Sequence, residues 1–198
     1  MPDAIVLLKN DHKTVEKLFK QYEKLGDKAF TQKRAIVDEL ITELSMHAAI
    51  EEQFFYPAVR KEAEEIQDVV LEGLEEHHIV KWTLEELSKM SAEEERFHPK
   101  VTVLMESVRH HVEEEEEEMF PKVRAAMGRK ALQELGDTLE QAKVAAPTKP
   151  HPKAPDTPPG NLVATPNAAL AQKSGNIEKP AAGKATGPVR RGLLRKKS

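Results

Sequence analysis

An eleven-residue pattern occurs twice in this chain, at His47–Pro57 and at His111–Pro121. Each copy opens with His and places Glu four residues on (Glu51, Glu115). A second Glu follows (Glu52, Glu116), and each copy closes on an aromatic-Pro pair, Tyr56-Pro57 or Phe120-Pro121. Residues i and i+4 of a helix lie one turn apart on one face, so each copy offers an imidazole beside a carboxylate. Two such helices facing each other form a cage of nitrogen and oxygen ligands for a pair of metal ions.

The rest of the first 145 residues obeys the same helical period. A first helix runs from near Asp3, a plausible N-cap, to Leu25, with Ile5, Leu8, His12, Val15, Phe19 and Tyr22 on one stripe. A second starts near Thr31 and carries Ile36, Leu40, Leu44, His47, Glu51 and Phe54, with Pro57 bending or restarting it. A third starts near Glu65, with Ile66, Val70, Gly73, His77, Val80 and Leu84 in register. A fourth follows His98-Pro99, carries Val101, Leu104, Val108, His111 and Glu115, and has Pro121 near its end. A shorter amphipathic piece, Arg129 to Lys143, reads as a cap. The expected fold is all-α: an up-down-up-down four-helix bundle with a short C-terminal capping helix. Asp11-His12 in the first helix parallels Glu76-His77 in the third, so the body reads as two related helix hairpins.

One histidine thus falls on each of four apolar stripes: His12, His47, His77 and His111. Burying Glu51 and Glu115 beside them requires compensation, because an unpaired buried carboxylate costs several kcal/mol or takes up a proton. Metal cations remove that penalty; buried His–Glu hydrogen bonds are the alternative. His110 shares a mostly polar face with Glu106, Glu113 and Glu117, which makes His111 the inner one of the pair. His78 lies on a stripe with Leu71, Leu74 and Trp82 and competes with His77; the match to His12 favours His77. Glu52 and Glu116, adjacent to the ligand candidates, read as exposed charge in preference to outer support of the ligands, Gly73 as a point of close packing, and Trp82 as core. Glu75/His78 and Glu95/His98 have the Glu-x-x-His spacing of ferritin-like sites, but the second abuts Pro99 at a helix boundary.

Composition narrows the chemistry. With no cysteine, disulfides, thiolate metal sites and thiol nucleophiles are excluded, and any metal rests on His, Asp and Glu. No Gly-rich phosphate loop appears. The net charge of −4 divides unevenly: past Ala146 there are ten Lys/Arg against two acids, while the preceding part carries −12. Residues 146–198 are rich in Pro, Ala, Lys and Gly, with no aromatic residue, and are expected to form a disordered basic tail beyond a 1–145 bundle domain. The tail lacks the interleaved aromatics of a dedicated nucleic-acid site, though it can contact an acidic surface. No stretch approaches a transmembrane length and none resembles a secretory signal, so a cytoplasmic location is expected.

His12, His47-x-x-x-Glu51, His77 and His111-x-x-x-Glu115 together resemble the hemerythrin family in its HHE cation-binding branch. The resemblance covers the bundle and not the tail. It implies two non-haem iron ions (Fe2+/Fe3+) with an oxo, hydroxo or water bridge. His12, His47, His77 and His111 are then terminal ligands, and Glu51 and Glu115 bridge. Two departures stand out. Oxygen-carrying hemerythrins have a further His one turn after the third-helix His, where this chain has Lys81. Their fourth-helix acid is an Asp five residues after the His, where this chain has Glu116. One imidazole is therefore missing, and His78 or a water fills the gap. The expected activity is binding of, or reaction with, O2, hydrogen peroxide or nitric oxide, in stress response or sensing. If the protein is an enzyme, catalase-like peroxide decomposition is the expected reaction. The alternatives are a non-catalytic metal store and a metal-free helical interaction domain. Oligomeric state is left open.

Overall fold

The computed structural model describes residues 2–151; the expectation of a disordered tail falls almost wholly on residues outside these. All regular structure among the described residues is helical. Helix α1 spans Ala4–Glu23 and α2 Phe30–Ile50; α2 passes through a widened π turn, Glu51–Phe55, into α3, Tyr56–Glu62. A 3-10 turn, Glu64–Ile66, leads into α4, Gln67–Lys89. Helix α5, Phe97–Glu114, passes through a second π turn, Glu115–Met119, into α6, Phe120–Ala126. Helix α7, Arg129–Ala145, follows.

Local chemistry accounts for these boundaries. The Asp3 carboxylate accepts from the Val6 amide at 2.9 Å and caps α1 as the sequence indicates. Pro57 restarts its helix, one of the two outcomes expected of it, and Pro121, expected near a helix end, does the same. Neither Pro57 nor Pro121 ends its helix; each sits in the first turn of a continuing segment, immediately after a π turn. A proline inside a helix has no N–H to donate and its ring crowds the carbonyl four residues back. Here the widened turn takes up that mismatch: the Tyr56 amide donates to the Glu51 carbonyl and the Phe120 amide to the Glu115 carbonyl, five residues back. Both π turns therefore begin at the paired glutamates.

Helix α1 packs along α2, α4 along α5, and α2 against α4, giving the four-helix bundle. Helix α7 lies on α1, α2 and the first π turn. The apolar interior is divided in two. One cluster gathers Leu8, Phe55, Tyr56, Ile66, Phe120 and Leu139; the other gathers Phe19, Tyr22, Leu40, Leu84, Phe97 and Leu104. Between them runs a belt of buried polar side chains that contains His12, His47, Glu51, His77, His111 and Glu115. Trp82 is a correction: it is 56% exposed rather than core, because α4 turns His77 and Leu84 inward.

Candidate metal centre

The six side chains singled out in the sequence converge. His12, His47, Glu51 and Glu115 form one group whose donor atoms lie within 4.8 Å of each other, and Glu51, His77 and His111 form a second. The groups share Glu51. Its Oε2 lies 3.1 Å from His47 Nε2 and 3.4 Å from His77 Nε2. Glu115 does the same on the other side, with Oε2 3.2 Å from His12 Nε2 and 3.7 Å from His111 Nε2. The imidazoles of the second group meet directly, Nε2 to Nε2, at 3.1 Å.

The other ring nitrogens face outward, towards four acids. His12 Nδ1 bonds Glu116 Oε1 at 2.8 Å, His77 Nδ1 bonds Glu52 Oε1 at 3.0 Å, and His111 Nδ1 bonds Glu76 Oε2 at 2.7 Å. His47 Nδ1 lies 3.6 Å from Asp11 Oδ2, beyond hydrogen-bond reach. Each acid sits next in sequence to a residue of the inner group and serves a histidine on another helix. The arrangement closes round the bundle and repeats with the two hairpins. An acceptor on Nδ1 fixes the tautomer and leaves Nε2 free to ligate, the usual outer support of a metal-bound imidazole.

Sequence reasoning gave Asp11 and Glu76 no role and preferred exposed charge for Glu52 and Glu116 over support of the ligands. Asp11-His12 and Glu76-His77 were visible as a repeat, which was the available signal. Glu52, expected at the surface, is only 4% exposed because the π turn swings it inward with Glu51. There it pairs with both His77 and the buried Lys81, whose Nζ lies 2.8 Å away. Lys81 thus occupies the place of the missing imidazole as a buried cation. His78 does not fill that place; it lies at the surface, with Nδ1 3.3 Å from Glu75 Oε2. His110 is 62% exposed at its side chain, whereas His111 is buried.

The aromatic-Pro pairs also acquire a role. Tyr56 lies against His77 with ring centroids 5.6 Å apart, and Phe120 stacks on His12 at 5.9 Å, each from the opposite hairpin. Tyr56 further donates its hydroxyl to Glu115 Oε1 at 3.0 Å. Phe120 has no hydroxyl to give Glu51. Gly73 makes room for both partners: a Cβ there would meet the Tyr56 hydroxyl at 3.2 Å and His111 Cε1 at 3.3 Å.

The electrostatics follow this asymmetry. Burial and the neighbouring Glu115 charge push the Glu51 carboxyl well above its ordinary pKa. Glu115 is equally buried, yet the His111 and His12 charges hold it far below the usual carboxylate range. Burial lowers His47 to about 4 and also lowers His77. Burial opposes the proton on His12 and His111 too, but Glu115 and their outer acids outweigh it and raise both.

These residues fit a metal. His12 Nε2, His47 Nε2, both Glu51 oxygens and Glu115 Oε2 are buried without a hydrogen-bond partner, which is costly in a metal-free interior. Donors about 2.0–2.2 Å from one ion lie roughly 3–4 Å apart, the spacing found here. The donor set is nitrogen and oxygen only. Beside the histidines lies a cavity of about 20 Å³, walled by Val15, Leu44, Ala48, Val80, Val108 and Val112.

The family model described as the hemerythrin HHE cation binding domain matches residues 3–123. The chain is similar to an uncharacterised hemerythrin-like protein of Schizosaccharomyces pombe, 31% identical over 128 residues. That match takes in 64% of this chain and 63% of the relative, a little under two thirds of its length. Among solved structures, a hemerythrin HHE cation binding domain-containing protein from Mycobacterium kansasii is similar at a TM-score of 0.61 with 24% identity. It covers 73% of this chain and 89% of that one, a likeness of fold.

Proposed function

Because the chain belongs to the hemerythrin HHE cation-binding family, we propose that its buried belt holds two iron ions at which O2, hydrogen peroxide or nitric oxide binds and reacts. The observation that carries this reading is the pair of donor groups sharing Glu51, in which His12 Nε2, His47 Nε2, both Glu51 oxygens and Glu115 Oε2 lack hydrogen-bond partners. His12 and His47 would hold one ion and His77 and His111 the other, with Glu51 and Glu115 common to both. Bound iron supplies Lewis acidity and one-electron redox steps, and a pair of ions supplies a two-electron change.

The chain's own residues set the conditions for that chemistry. Glu116, Glu52 and Glu76 hold the Nδ1 protons of His12, His77 and His111 and keep those rings aimed. The Tyr56 hydroxyl fixes one oxygen of Glu115. The valine and leucine walls keep bulk water out, and a cavity of about 20 Å³ takes a molecule of about the size of water. The groove between α1 and α5, about 960 Å³, adjoins the inner cavity across His12, Val15, Val108 and Val112, which line both. Lys81, in place of an imidazole, leaves one fewer nitrogen donor. That favours an open position and reaction over reversible carriage.

The test is anaerobic loading with Fe(II), metal analysis, and an optical spectrum before and after O2, peroxide and nitric oxide. Two ions per chain and new visible bands are expected. Full occupancy with no response to any of the three identifies a store instead. His47→Ala with His111→Ala removes one nitrogen from each group and is expected to abolish uptake; retained stoichiometry refutes the ligand set.

A further inference from the structure

Helix α7 lies beyond residue 123, where the family match ends, yet it reaches the metal belt. Its register on α1 is set by Gly136. A Cβ there would meet the Pro2 carbonyl oxygen at 2.5 Å and the Ala4 amide nitrogen at 2.8 Å, so the backbones touch and only glycine fits. Leu132 and Leu139, buried on either side, hold the contact. Seven residues on from Gly136 is Lys143, and seven on from Ala4 is Asp11. Lys143 Nζ lies 2.5 Å from Asp11 Oδ1 and 3.9 Å from Glu43 Oε2, one turn before His47 on α2. The other Asp11 oxygen faces His47 Nδ1, and neither of those two atoms has a hydrogen-bond partner.

We propose that α7 is a working part of the metal centre: Lys143 is a positioning residue that holds the Asp11 carboxylate against His47 and so tightens the ion at His12 and His47. This rests on the metal reading above. Two of the other three outer acids have cations from within the bundle, Lys9 on Glu116 at 3.0 Å and Lys81 on Glu52 at 2.8 Å. Asp11 has its lysine from a helix that the family match does not include. A cation that fixes such an acid acts on the ligand at one remove. Its loss falls at or below the low end of the roughly 10–100-fold effect seen for direct outer partners of a metal ligand.

The experiment compares full-length wild type, Lys143→Met and Lys143→Arg by chelator competition with Fe(II) under anaerobic conditions; circular dichroism monitors the fold. Lys143→Met is expected to weaken one of the two ions by about tenfold and leave the other unchanged. Lys143→Arg, which keeps the charge, is expected to restore most of the loss. Lys143→Gln replaces Lys143→Met if the latter does not fold. Two ions bound by wild type and held equally tightly by the uncharged variant overturn this proposal alone. Equal weakening of both ions, or no rescue by arginine, also overturns it. No iron in the wild type overturns the metal reading and this proposal with it.

Discussion

Replacing Glu51 by Gln separates the stability of this bundle from its chemistry. Glu51 is 0% exposed and neither carboxylate oxygen has a hydrogen-bond partner. Its counterpart Glu115 has the Tyr56 hydroxyl; the equivalent position on the other hairpin is Phe120, which has nothing to offer. Without metal, Glu51 either carries a charge beside Glu115 or takes up a proton, and burial drives it towards the proton. An unsatisfied buried polar group costs about 1–3 kcal/mol, more when charged. Glutamine has the same shape and no charge, so it removes both the charge beside Glu115 and the need to take up a proton. In chelator the Glu51→Gln protein is therefore expected to be more stable than wild type by about 1–3 kcal/mol, roughly 2–12 °C in Tm for a domain of this size. With Fe(II) the order reverses. A ligand at a hundred times its Kd adds about 2.7 kcal/mol to the form that binds it, and an amide is a poor substitute for a shared carboxylate. Differential scanning calorimetry in chelator and in anaerobic Fe(II) reads both arms. A variant less stable than wild type in chelator, or one that Fe(II) stabilises as much, refutes the reasoning.

Gly73→Ala sets a helix gain of about 1 kcal/mol against crowding of roughly 1–3 kcal/mol, since Tyr56 and His111 are each held from their far side by a hydrogen bond. A net loss of about 1 kcal/mol with weaker iron binding is expected from melting and chelator competition; a raised Tm with undiminished binding counts against it. Burial lifts the Tyr22 phenol to about 12. An acid with a raised folded-state pKa keeps its proton longer when folded, so its contribution is whole below about pH 10 and falls away towards pH 12, by about 3 kcal/mol in total. Tyr22→Phe should flatten that alkaline arm in urea titrations at pH 8 and pH 11; an unchanged slope contradicts the assignment. Removing residues 147–198 should leave iron uptake unchanged if the bundle is a domain ending near 145; lost uptake would make the tail part of the site.

The inner group was legible because its constraints are local. A histidine and a glutamate four apart on an apolar stripe share a helix face whatever the helix packs against, and four such stripes identify His12, His47, Glu51, His77, His111 and Glu115. The helices and the bundle were legible for the same reason, the period being a property of each segment. Asp11 and Glu76 were not, and Glu52 and Glu116 were read first as exposed charge, since each lies beside a histidine of another helix. Local pattern does not tell a glutamate that crosses to a neighbouring ring from one that faces water. The π turns escaped notice because a proline read in one dimension marks a bend, a restart or an end without showing how the backbone accommodates it, and only packing on both sides carries Tyr56–Glu62 and Phe120–Ala126 onward. Tertiary structure alone decided that Glu115 receives a hydroxyl while Glu51 does not, and that Lys143 meets Asp11 across 132 positions of chain. Helical periodicity acts within a segment; charge pairing in a dry interior depends on which segments meet.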